Sequence, residues 1–155
     1  MTEIDFALSQ KEDTEVIELI GTVIWNKANK VKNITALSLQ ERIFVYIDIF
    51  ESELINGGLF NFFYNTSGSY AHEVLEAYET IGAHKSAQSM YSAITNFPEV
   101  PVPKDIFLRR SFMKKLDDSI TAKWITIEKD LLNSKEDIVT LLIDYVRYHK
   151  TVFEY

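Results

Sequence analysis

The 155-residue chain contains no cysteine. Disulfides, a thiol nucleophile and thiolate metal ligation are excluded at once, and the composition fits a reducing compartment. Positive charge is also short: 16 Lys and Arg stand against 23 Asp and Glu, for a net charge of −7. Direct nucleic-acid binding needs a positive face to neutralise phosphates, so this balance argues against it. No stretch approaches the ~20 apolar residues needed to span a bilayer. The N-terminal MTEIDFALSQKEDTEV is acidic and polar where a secretory signal is basic and then apolar. The expected location is therefore cytoplasmic, with no membrane partner. No alternating strand pattern of useful length occurs, and all three prolines lie between 98 and 103. There they make an extended connector, because proline restricts both itself and its predecessor.

What is present is helical. Apolar residues make up 46% of the chain and include ten Phe, eight Tyr and two Trp, a globular rather than a disordered composition. Val16, Ile17, Ile20, Ile24 and Ala28 predict a helix from Thr14 to about Lys30. Gly21 within it is expected to let another helix approach closely. Ser38 and Glu41 form a capping box that opens a second, very apolar helix. Leu39, Ile43, Tyr46, Ile47, Phe50 and Leu54 line one face of that helix, and Glu41, Asp48 and Ser52 leave a narrow polar stripe. Further helices are expected from Tyr70 to Ile81 (capped by Ser69), over 83–96, from Asp118 to Asn133, and after a cap at Ser134, with a short helix or turn over 105–116. The expected fold is all-α, a single-domain bundle over 1–155 with about six or seven helices.

The central helix is expected to stop at Asn56-Gly57-Gly58, with Gly57 taking the left-handed conformation at its C-terminus. Leu59, Phe60, Phe62, Phe63 and Tyr64 then crowd in before a second break at Asn65-Thr66-Ser67-Gly68. A glycine-broken aromatic elbow pressed into a core is the simplest account. Glu53, Asn56, Asn65 and Ser67 flank it. They read either as a satisfied polar network, in which Glu53 accepts hydrogen bonds from the returning loop, or as a small pocket for a ligand or substrate.

No catalytic or metal motif of strong spacing occurs. His72-Glu73-Val74-Leu75-Glu76 lacks the second histidine of a zinc-protease helix, and His72 with Glu76 gives too few ligands for a closed site. The expectation is no catalytic residue, no metal and no cofactor. Lys104, Arg109, Arg110, Lys114 and Lys115 form a short basic cluster that reads as a solvated helix start. Glu73, Glu76 and Glu79, with Asp48 and Glu51 on the central helix, read either as a solvated acidic face or as a surface presenting carboxylates to a basic partner.

The segment Glu53 to Ala83 resembles a family of small bacterial all-helical proteins, largely of unknown function, that includes a DNA-mimic protein. Glu53, Asn56-Gly57-Gly58, Phe62-Phe63, Asn65, Ser67-Gly68 and Ile81-Gly82-Ala83 carry the resemblance, and Phe97-Pro98 and Leu116-Asp117-Asp118 extend it. It spans most of 38–150. Leu59-Phe60-Asn61 departs from it, standing where a phenylalanine soon followed by glutamine is expected. The resemblance implies a homodimer whose surface charge imitates duplex DNA and which binds a DNA-binding regulator in place of DNA. The functional expectation is a non-enzymatic protein that binds a basic protein partner through Asp48, Glu51, Glu73, Glu76 and Glu79. The alternatives are a toxin-neutralising (immunity-type) protein, and an enzyme or small-ligand binder with a pocket at the Glu53–Gly68 elbow.

Overall fold

The computed structural model describes residues 1–153. Among them there are eight α-helices, three short 3-10 turns and no strand. The helices are α1 (Glu3–Leu8), α2 (Asp13–Val31), α3 (Leu39–Tyr64), α4 (Ala71–Ile81), α5 (His84–Thr95), α6 (Ile106–Met113), α7 (Asp118–Leu132) and α8 (Ile138–Tyr148). The all-α expectation holds, and α1 is the additional helix. It has six residues, too few for a periodic apolar signal, but Thr2 and Asp5 close a capping box at its start. No helix among the described residues is long and apolar enough to cross a membrane.

The backbone groups into two compact units: Met1–Val45 with the chain from Asp137, and Tyr46–Glu136. The first unit packs α1 and α8 on α2. Ile4, Val16, Ile20, Ile24, Leu142, Ile143 and Val146 are buried there. Ser38 and Glu41 make the expected capping box at the start of α3, at 3.0 and 3.1 Å. Glu41 is nevertheless fully buried rather than part of an exposed stripe. Its carboxylate is satisfied by the Ser38 N–H and by Lys27 at 3.0 Å, as a buried charge requires. Leu39, expected inward, is exposed. A Cβ at Gly21 would meet the Phe44 ring at 3.8 Å, an ordinary contact, so close helix approach does not demand glycine there.

The second unit is built on an aromatic cluster. Phe50 meets Phe62 edge-on at 4.8 Å and Tyr78 at 5.9 Å, and Phe63 stacks on Trp124 at 4.8 Å. The Trp124 indole N–H donates to the Ala93 carbonyl at 3.1 Å, so the buried ring leaves no polar atom unmet. Helices α4 and α5 form an αα-hairpin, turning at Gly82 (φ 84°). Helix α4 begins at Ala71 without a side-chain cap. The Ser69 hydroxyl donates instead to the Thr66 carbonyl. In the first unit, α8 starts at Ile138 under an Asp137 cap, four residues beyond Ser134. The Ser134 hydroxyl accepts the Glu136 N–H.

Candidate functional site

The acidic stretch takes its place from α3 and α4. From Ile43 to His84 the sequence carries six carboxylates and no lysine or arginine. Asp48, Glu76 and Glu79 are exposed. Glu51 and Glu73 are not outward, contrary to the spacing argument. Glu51 is half-buried and accepts the Tyr78 hydroxyl at 2.7 Å, which ties α3 to α4. Burial lifts its carboxyl above the ordinary 4.5; the Tyr78 hydroxyl offsets part of the rise and the nearby Asp48 charge adds to it. Burial, then the Glu51 charge, in turn pushes the Tyr78 phenol well above 10. Glu73 is half-buried and ion-paired to Lys104, with its second oxygen buried and without a partner among the described residues. The tie arises because the proline connector returns over the start of α4. The Lys104 ammonium also donates to the Ser69 carbonyl at 2.9 Å, and His72 Nε2 accepts the Val102 N–H at 3.0 Å. His72 is therefore a tether for the connector.

The elbow differs from its expected form at both breaks. Helix α3 does not end at Gly57. It bends at Gly58, whose φ of 78° and ψ of −172° lie in a region essentially confined to glycine. Gly57 and Asn56 are exposed, and the Asn56 amide donates to the Ser52 hydroxyl at 3.4 Å. Past the bend the helix restarts, and the first free N–H, that of Leu59, donates to Glu128 Oε1 at 2.6 Å. Glu128 thus caps the second arm from α7. Phe62 and Phe63 are buried, whereas Phe60 and Tyr64 are exposed and stack on each other at 5.8 Å. The Glu53 carboxylate accepts from the Asn65 amide at 3.2 Å and from the Ser67 hydroxyl at 3.3 Å.

At the far end of the elbow stands Arg109, which the basic-cluster reading takes as solvated and which is fully buried. Its guanidinium donates to the carbonyls of Phe63, Pro103 (2.9 Å), Lys104 (3.0 Å) and Asn65 (2.6 Å). Burial, with Arg110 nearby, lowers its pKa from the usual value. Arg110 Nε takes the Tyr64 carbonyl at 2.8 Å while its guanidinium lies 4.1 Å over the Tyr64 ring. Two arginines of α6 therefore satisfy the carbonyls that the end of α3 leaves open. Gly68 makes room for them: a Cβ there would come within 2.6 Å of Arg109 Nε and of the Phe63 carbonyl oxygen. Glu53, Asn65, Ser67, Gly68 and Arg109 are thus engaged with one another, an arrangement that binds and rigidifies the loop. Sequence reasoning missed Arg109 and Glu128. The available trace was helical phase, since Arg109 falls between Ile106 and Met113, and Glu128 lies one turn after Trp124.

The described residues are all-helical, with a glycine bend between a carboxylate-bearing arm and an arginine-capped aromatic arm. The model of the DMP19-like protein family matches residues 35–149, that is 115 of the 155, and the chain belongs to that family. No curated protein and no solved structure matches it.

Proposed function

We propose that the chain is a non-enzymatic interaction protein that binds a basic protein partner through the carboxylates of α3 and α4, and that it does so by imitating DNA toward a DNA-binding protein. The observation that carries this reading is the run from 43 to 84 without lysine or arginine, folded so that Asp48, Glu76 and Glu79 are exposed on two helices joined by the Glu51–Tyr78 hydrogen bond. Glu76 and Glu79 stand three residues apart, about 4.5 Å along the axis at the helical rise. Phosphates recur every ~3.4 Å along one DNA strand, so the spacing is of the same order. Membership of the DMP19-like family, which is not known for enzymatic activity, supports the reading. So does the elbow, where the polar groups are spent on one another rather than aimed at an open space.

The test is capture of partners from the native cell by the parent chain and by a Glu76→Lys/Glu79→Lys variant, at low and high ionic strength. Proteins of high pI retained by the parent at low salt, released by high salt and lost in the variant are the expected result. Retention of the same proteins by the variant overturns the reading.

A further inference from the structure

We propose that α6, with the second arm of α3, is a separate docking face for an acidic amphipathic helix of a partner protein. The face is opposite in sign to the rest of the molecule. Residues 104–115 hold five bases and one acid, in a chain of net charge −7. Arg109 is buried and Lys104 is tied to Glu73, so the outward charge comes from Arg110, Lys114 and Lys115. Among the described residues, neither Lys114 nor Lys115 makes an ion pair; both are exposed.

The same face is unusually apolar for a surface. Phe107 is 77% exposed, on a helix of only eight residues. Phe107 and Arg110 lie three apart, so they share a side of α6. Arg110 in turn lies over Tyr64, and Tyr64 stacks on Phe60. Phe60, Tyr64 and Arg110 therefore form a strip across two adjacent helices, and Phe107 lies on the Arg110 side of α6. Exposed aromatics beside an arginine are the composition of interface anchors rather than of idle surface. Two neighbouring helices present ridges into which a third helix packs, with its apolar face on the aromatics. The cations at the margin select carboxylates flanking that face. A single-stranded nucleic acid would also use aromatics and cations, but it would bring a row of phosphates to a molecule already rich in carboxylates.

The probe is a synthetic helical peptide of about 18 residues, long enough for five turns. It carries Leu and Phe at i, i+3, i+4 and i+7 with Glu on the flanks, and its binding to the full chain is followed by fluorescence anisotropy. Binding that weakens with salt is expected, with a loss of about tenfold in Phe107→Ala and, separately, in Lys114→Glu/Lys115→Glu. Both variants are checked for unchanged thermal melting. Glu76→Lys/Glu79→Lys leaves this binding intact, which separates the inference from the acidic-face reading. Absence of binding at about 1 mM peptide, equal binding of a scrambled peptide, preference for a lysine-flanked version, or preferential binding of oligo-dT through the same residues overturns it.

Discussion

Arg109 and Gly68 are in such close apposition that a single methyl group at position 68 would sit 2.6 Å from the guanidinium Nε. The arginine is fully buried and spends its donors on four carbonyls, three of them 5 to 6 or 44 residues away and one 46 residues away. A cation solvated by carbonyls holds the end of α3, the 65–68 turn and the proline connector together. Arg109→Ala is expected to cost about 3 kcal/mol or more, since several buried carbonyls lose a charged donor at once. Arg109→Lys keeps the charge but loses the planar fork, and recovers only part of it. Gly68→Ala is expected to cost about 1–3 kcal/mol through overpacking against fixed backbone oxygens. Denaturant midpoints measure all three; an Arg109→Ala variant as stable as its parent would remove the arginine from this role.

Gly58→Ala combines two penalties. The backbone at φ 78° and ψ −172° resists a side chain, and the new Cβ would meet the Glu128 carboxylate at 2.5 Å. The expected cost is about 1–3 kcal/mol. Glu128→Ala alone uncaps the second arm at Leu59 and costs about 1 kcal/mol. Because Gly58→Ala already displaces the carboxylate, the double variant should be less destabilised than the sum of the singles. Strict additivity in the cycle would show that Glu128 does not cap this arm.

Glu51 gives a pH signature. Its folded pKa is raised above the ordinary 4.5, chiefly by burial. The stability it contributes is therefore whole below about that pH and is lost as pH rises through the folded value. Glu51→Gln keeps an acceptor for the Tyr78 hydroxyl and removes the ionisation. The variant should melt higher than the parent at neutral pH, with the gap closing as pH falls toward 4.5. A variant that melts lower at neutral pH refutes the assignment.

Asp5 behaves in the opposite sense. Hydrogen bonding to Lys150, then to the Thr2 backbone, holds its carboxyl down to about 2. Its contribution is present above its ordinary 3.8 and disappears as pH falls through about 2. Asp5→Asn should flatten the acid limb of the stability curve between those values, read from melts in low-pH buffers.

Gly21→Ala is expected to stabilise the chain by about 0.5–1 kcal/mol. The added methyl finds ordinary contact distance to Phe44, and alanine is the better helix former. A thermal melt decides the sign, and a lowered midpoint would mean that Phe44 cannot accommodate the methyl.

Local signals were legible in the sequence and remote ones were not. Periodic apolar positions gave α2, α4 and α5 to within a residue or two, and Ser38 with Glu41 announced the start of α3, because each of these signals lies within a few residues of what it organises. Glu128 caps Leu59 from 69 residues away, and Glu136 caps the start of α5 from 50 away, accepting the Ser86 N–H at 2.7 Å. Such caps impose no spacing on their neighbours, so no pattern betrays them. In the acidic stretch, Asp48, Glu76 and Glu79 are exposed as their helical phase suggests. Glu51 and Glu73 are drawn inward by Tyr78 and Lys104, contacts that only the folded chain creates.

The bend at Gly58 separates the two arms of α3, with carboxylates before it and the stacked Phe60–Tyr64 pair after it. Two ligands held one on each arm would be oriented relative to each other by the torsions of a single residue. Substitution there need not weaken either ligand by itself. It would change whether both can be carried at once, so simultaneous occupancy is the quantity most sensitive to that glycine.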